Sequence, residues 1–294
     1  MATPILVAGM RPPGSLTLAA LAAAGAILSG CGRGERPAGA EEADAVTVWA
    51  VGDGATGGER ARALGQRIAD DRPARLLYLG DVYPDGTPED FEERYETVYG
   101  SLDGVTEPTP GNHEWPSRAE GYEPYWTEAK GRTPPTFYAF DLAGWQILSM
   151  NSEAPHGRDS DQVAYLRRQA RRGGSCRLAF WHRPRFSGGN YGEEDVAPLW
   201  DALRGHAALV LTGHDHNTQR FTPRDGITQF VVGAGGANLY PVDRDEPGLA
   251  WANDTDVAAL RLTLRRGRAD YAVVTSDGRT LDRGRIACRP APAR

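Results

Sequence analysis

From Val46 onward, short apolar runs alternate with turns rich in glycine, proline and acidic residues, and a few longer stretches are apolar on one side only. Residues 46–51, Val-Thr-Val-Trp-Ala-Val, have the pattern of a buried strand and end in Gly52-Asp53-Gly54. A helix is predicted over residues 59–71, closed by Pro73, and a second strand over 76–79, ending in Gly80-Asp81. Further strands are predicted at 137–141, 145–150, 178–181, 208–212 and 228–232. Residues 161–172 set Val163 and Leu166 against many arginines, the pattern of a surface helix. Near the C-terminus, residues 258–264 and 269–275 flank Arg265-Arg266-Gly267-Arg268, a hairpin signal. With no internal repeat and no proline-rich linker, residues 46–290 read as one α/β domain.

Composition narrows the function classes. With 40% hydrophobic and 24% charged residues the chain has an ordinary globular makeup. A net charge of -6 argues against a protein that wraps nucleic acid by neutralising phosphates. Before the domain, Arg11 precedes an apolar run from Leu16 to Leu28, too short for a bilayer-spanning helix but suited to a signal peptide. The run ends Leu28-Ser29-Gly30-Cys31, which resembles the signal of a bacterial lipoprotein. That resemblance implies a signal peptide over 1–30, lipidation at Cys31, a flexible tether over 31–45, and export to the periplasmic or extracellular face of a bacterial membrane. Loss of Arg11 with the leader takes the net charge to -7. The remaining Cys176 and Cys288 either pair, as an oxidising compartment favours, or stay as two buried thiols.

Several apolar runs end in an acid or a histidine beside glycine. Asp53 and Asp81 do so, as do Gly111-Asn112-His113-Glu114, His182 after Ala179-Phe180-Trp181, and Gly213-His214-Asp215-His216. In open α/β sheets the carboxyl ends of strands border the ligand crevice. Asp, Asn and His without Cys suit a hard or borderline divalent metal such as Zn, Fe or Mn. Taken singly, each acid is as easily a turn residue and each histidine a core residue.

In this order the motifs resemble the calcineurin-like metallophosphoesterase superfamily, closest to its purple-acid-phosphatase-like branch, over residues 46–240. The resemblance implies a four-layer α/β/β/α sandwich with two mixed β-sheets. It also implies two divalent or mixed-valence metal ions (Fe, Zn or Mn). Asp81 would bridge both; Asp53 and His216 would ligate the first, and Asn112, His182 and His214 the second. His113 would stand beside the phosphate as donor or acid. The implied activity is hydrolysis of a small phosphate ester by a metal-bound hydroxide, first a phosphomonoester. A phosphodiesterase acting on nucleotides or phospholipid headgroups is the alternative, and a non-hydrolytic binding protein on the same fold is another. No nucleic-acid partner is expected, and the oligomeric state is open.

Three positions depart from the family pattern. Many members carry a His two residues after the first Asp, where this chain has Ala55. Purple acid phosphatases have a Tyr three residues after the bridging Asp. Here Tyr83 lies two residues after Asp81, with Pro84 third, so Tyr83 either ligates the first ion or merely packs. The loop after His182 lacks the further histidines of plant enzymes. Its Arg183 and Arg185 either bind substrate phosphate or sit in a solvated loop. His156 and His206 receive no catalytic role. Trp115, Tyr122, Tyr125 and Trp126 form either a stacking wall for an aryl or nucleoside group or ordinary loop packing.

Overall fold

Two facing β-sheets hold the chain together. The computed structural model describes residues 45–173 and 176–288; the signal, tether and Cys31 expectations lie outside them. The strands are β1 (Val46–Val51), β2 (Arg75–Tyr78), β3 (Thr106–Pro108), β4 (Tyr138–Leu142), β5 (Trp145–Ser149), β6 (Cys176–Phe180), β7 (Leu209–Thr212), β8 (Thr218–Phe221), β9 (Thr228–Val232), β10 (Leu249–Asn253), β11 (Ala258–Arg265), β12 (Arg268–Thr275) and β13 (Thr280–Ala287). One sheet runs β13-β12-β11-β1-β2-β3 and the other β10-β8-β9-β7-β6-β5-β4. Both are mixed: β1, β2 and β3 are parallel neighbours, as are β5, β6, β7 and β9, and antiparallel strands extend each sheet.

The strands bury both faces, and the period of two assigns each face its partner. In β1, Val48 and Ala50 point into the space between the sheets, where they meet Leu178, Leu211 and Phe230 of the other sheet. Trp49 and Val51 point outward against helix α1 (Glu59–Asp70), whose buried Ala61, Leu64, Gly65 and Ile68 repeat at helical spacing. On the other sheet, Leu148, Ala179 and Val210 face outward onto α3 (Asp161–Ala170) and α4 (Ala197–Leu203), which follow α2 (Tyr122–Lys130). Three apolar layers between four layers of structure make an α/β/β/α sandwich.

Several elements differ from the sequence reading. The chain from 88 to 105 is helical throughout, passing from α (Pro88–Asp90) through π (Phe91–Glu96) and α (Thr97–Tyr99) to 3-10 (Gly100–Val105). Its changing period hides it from a search at 3.6 residues per turn. Of the four aromatic residues after Asn112-His113, two take the packing alternative. Tyr122 and Trp126 are buried on α2, where Trp126 meets Tyr95 edge-on at 5.3 Å. Ring edge against ring face is the favoured packing of a core aromatic, so these two rings belong to the layer under the sheet. Cys176 at the start of β6 is bonded to Cys288 just after β13, with Cα atoms 5.7 Å apart, joining the two sheets.

Candidate metal centre

β1, β2 and β7 each deliver their chemistry through the same local device. Gly52, Gly80 and Gly213 end the strands, and the next residues, Asp53, Asp81 and His214, take left-handed φ angles of 58°, 70° and 68°. Such angles cost a non-glycine residue free energy. Here they turn each side chain off the strand axis into the crevice. A Cβ on Gly111 would strike Asp81 Oδ1, so glycine is what lets the Asn112-His113 turn approach that carboxylate.

Two ligand sets result, and Asp81 belongs to both. Ligand atoms of Asp53, Asp81 and His216 lie within 4.8 Å of one another, and so do those of Asp81, His182 and His214. All five residues are buried. The Tyr83 hydroxyl joins the first set, 3.1 Å from Asp53 Oδ1, 3.2 Å from Asp81 Oδ2 and 2.7 Å from His216 Nε2. Asn112 joins the second, its Oδ1 3.1 Å from His182 Nε2. Ala55 is fully buried, and its carbonyl accepts the Tyr83 N–H (3.2 Å). The phenol thus stands at the set where Ala55 replaces the histidine that many family members carry. Imidazole orientation is fixed from behind: Nδ1 of His182 faces the Leu79 carbonyl (2.8 Å) and Nδ1 of His216 that of Asn238 (2.9 Å), leaving both Nε2 atoms inward.

The electrostatics call for cations. Burial raises the Asp53 carboxyl well above its usual range, against the pull of His182. Burial also acts to raise Asp81, but the neighbouring His182 imidazolium overrides it and holds the carboxyl low. Burial would lower His182, yet Asp81 and Asp53 lift it to about 10. His214 is pushed down to about 2, by burial first and then by His182. A buried pair of carboxylates that uses a histidine as its counter-ion suits replacement of that proton by metal. The donor set of carboxylate, imidazole, amide and phenol fits Fe, Zn or Mn.

The other predicted residues have definite places. His113 lies beside the cluster, half-buried, with Nε2 3.8 Å from Asp81 Oδ2, its backbone N–H donating to Asp81 Oδ1 (3.1 Å) and its Nδ1 against the Pro84 carbonyl. Arg183 is not a free cation. Glu153 holds its guanidinium at 2.9 Å, and Glu193 adds a contact at 3.3 Å. Arg185 pairs with Glu194 at 2.7 Å. Both arginines are thus ion-paired within the loop, Arg183 with Glu153 and Glu193 and Arg185 with Glu194. His156 faces Asp195 (3.4 Å), and His206 follows α4.

Four contributors escaped the sequence reading. Glu114 is buried and accepts the N–H groups of Asp81 and Val82, each at 3.1 Å. Asp215 is buried between the two motif histidines and accepts from Ser187 Oγ and the Asn190 N–H, fixing the loop after His182. Tyr240 stacks on His216 (centroids 4.3 Å apart) and Tyr191 leans on His214 (4.5 Å). Glu114 and Asp215 lie inside the motifs; nothing local marks the tyrosines.

The model of the calcineurin-like phosphoesterase family matches residues 46–218. The chain is 28% identical over 204 residues to a probable cyclic nucleotide phosphodiesterase of Synechococcus sp., a match spanning 65% of this chain and 74% of that protein. Purple acid phosphatase PPD1 of yellow lupin (Lupinus luteus) superposes with a TM-score of 0.69 at 16% identity, over 83% of this chain and 54% of the lupin chain. This chain therefore spans about half the lupin enzyme's length. GAP50, the anchor in the inner membrane complex of Plasmodium, superposes with a TM-score of 0.68 at 15% identity, over 84% of this chain and 90% of that one. At such identities these two structures speak to the fold.

Proposed function

The chain belongs to the calcineurin-like phosphoesterase family, and from that premise we propose that this phosphoric ester hydrolase acts first on phosphomonoesters at a two-metal centre. The observation that carries the reading is the Tyr83 hydroxyl, 2.7 Å from His216 Nε2, in the ligand set where Ala55 offers nothing. A phenol there is the purple-acid-phosphatase pattern. Asp53, Asp81, Tyr83 and His216 would hold one ion, and Asp81, Asn112, His182 and His214 the other. When bound, the pair supplies Lewis acidity and an activated water. The chain's own residues would do the rest: Asp81 belongs to both ligand sets, His182 and Tyr83 would have to give up protons for metal to bind, and His113 would donate to the leaving oxygen.

The test compares an aryl phosphate monoester with a bis-aryl phosphate on one metallated preparation, with Asp81→Asn as control. We expect a steep monoester preference and at least a 10³-fold loss on Asp81→Asn, in the range that catalytic groups supply. A preference for the diester would overturn the monoester reading in favour of the second, a nucleotide phosphodiesterase, which draws support from the named activity of the Synechococcus relative. Iron at the tyrosine site would give a purple protein, and Tyr83→Phe should abolish the visible band. A colourless iron-loaded wild type would remove Tyr83 from the ligands.

Export with a lipid on Cys31 forms part of the same proposal. The apolar run before Cys31 and the Cys176–Cys288 bond, which suits an oxidising compartment, support it. Labelling with a fatty-acid analogue should mark the wild type and not Cys31→Ser; equal labelling would sink the idea.

A further inference from the structure

A cavity of about 340 Å³ lies beside the Asn112-His113 turn, within the size range of small-molecule sites. Pro110 and Trp115, both in its wall, bracket Asn112 and His113 in the chain. Pro110 and Asn112 are two residues apart, so their Cα atoms are separated by less than about 8 Å. Asn151, also in the wall, is followed by Ser152, whose Oγ accepts the backbone N–H of Arg183 (3.1 Å) next to His182. The cavity wall is thus tied through the backbone to the segments that carry Asn112 and His182.

Its lining has a definite chemistry. Prolines and Trp115 give flat, apolar walls. The Arg118 guanidinium lies over the Trp115 indole, 4.5 Å from the ring centroid, and faces Glu123 at 3.9 Å, so charge at the wall cancels. Asn151 is fully buried. Its Oδ1 accepts the N–H groups of Glu153 (2.8 Å) and Ala154 (3.1 Å), which fixes the amide's orientation and leaves Nδ2 without a partner. A buried donor without an acceptor costs free energy that an incoming acceptor recovers.

We propose that this cavity receives the alcohol portion of the substrate and selects a neutral, flat heteroaromatic group bearing a hydrogen-bond acceptor, as in a nucleoside phosphate. The base stacks on the Trp115 side and accepts from Asn151 Nδ2, while the phosphate lies at the metal ligands. This assignment rests on the monoester reading above. It makes Trp115 and Asn151 specificity residues.

The measurement is the ratio of kcat/KM for adenosine 5′-monophosphate to that for glycerol 3-phosphate. Wild type should favour the nucleotide, and Trp115→Ala should lower the ratio at least 10-fold. Asn151→Asp keeps the Oδ1 acceptor for the loop but replaces the Nδ2 donor, and should lower the ratio similarly. Thermal melts check that each variant folds. A ratio unmoved by both variants, or a wild-type preference for glycerol phosphate, overturns the proposal. If wild type hydrolyses neither ester, the monoester reading fails, and adenosine binding by calorimetry decides the cavity. Binding weakened at least 10-fold by Trp115→Ala upholds it, and no binding by wild type refutes it.

Discussion

Behind the ligands, Glu114 has both carboxylate oxygens in use, one on the Asp81 N–H and one on the Val82 N–H. Burial, and then the Asp81 charge, lift its carboxyl to about 7. Glu114→Gln can satisfy only one of those two donors, because its amide nitrogen faces the other. Supporting residues of this kind typically carry 10–100-fold in metal affinity. Competition with a chelator should therefore show weaker metal retention in Glu114→Gln, with a folded protein by circular dichroism; unchanged retention would deny Glu114 a positioning role. The candidate ligand residues, which the fold brings together, were legible because acids and histidines at strand ends are unusual in this order. Glu114 was not, since its partners lie 32 and 33 residues earlier and are backbone atoms. The ion pair of Arg183 was hidden in the same way, because the Glu153 that holds it is 30 residues away.

Among the elements, α1 carries a test in which two effects oppose each other. Gly65 is a poor helix residue, and alanine would gain about 1 kcal/mol from propensity. A Cβ there, however, would strike the Val98 carbonyl oxygen in the helical run packed against α1. Overpacking against backbone costs about 1–3 kcal/mol, so packing should win. Gly65→Ala is expected to lower the melting temperature; a rise would mean that the two helices separate freely. The paired strands from β1 to β9 were mostly readable, because strands buried on both faces are continuous apolar runs. β3, β8, β10 and β13 were not. β3 has three residues, two of them Glu107 and Pro108, and β13 is largely exposed and polar. β3, β10 and β13 are edge strands, which need no apolar pattern once a neighbour supplies their hydrogen bonds, whereas β8 lies inside its sheet but begins Thr218-Gln219-Arg220.

For the whole molecule, stability should depend on pH through groups outside the centre as well. Burial lifts the Asp103 carboxyl to about 6 despite the Tyr125 hydrogen bond. The folded state then holds a proton that the unfolded chain has released, so this group's contribution is intact below about pH 4 and is lost as pH rises towards 6. Asp103→Asn should gain on wild type over that interval by about 1 kcal/mol, after allowing for screening of a partly exposed group. A gain independent of pH would contradict the assignment.

The left-handed angles at Asp53, Asp81 and His214 have a consequence for how this molecule changes over generations. Asparagine takes such angles as readily as aspartate and carries no carboxyl that burial must desolvate or hold protonated. Asp53→Asn should therefore raise the melting temperature of the metal-free protein, by roughly 2–4 °C per kcal/mol gained, while it removes a ligand. Hydrolysis and robustness then pull these positions in opposite directions. A lineage freed from selection for catalysis would gain stability soonest at its strand-end acids, and descendants that kept the sandwich as a scaffold would record their change of livelihood there.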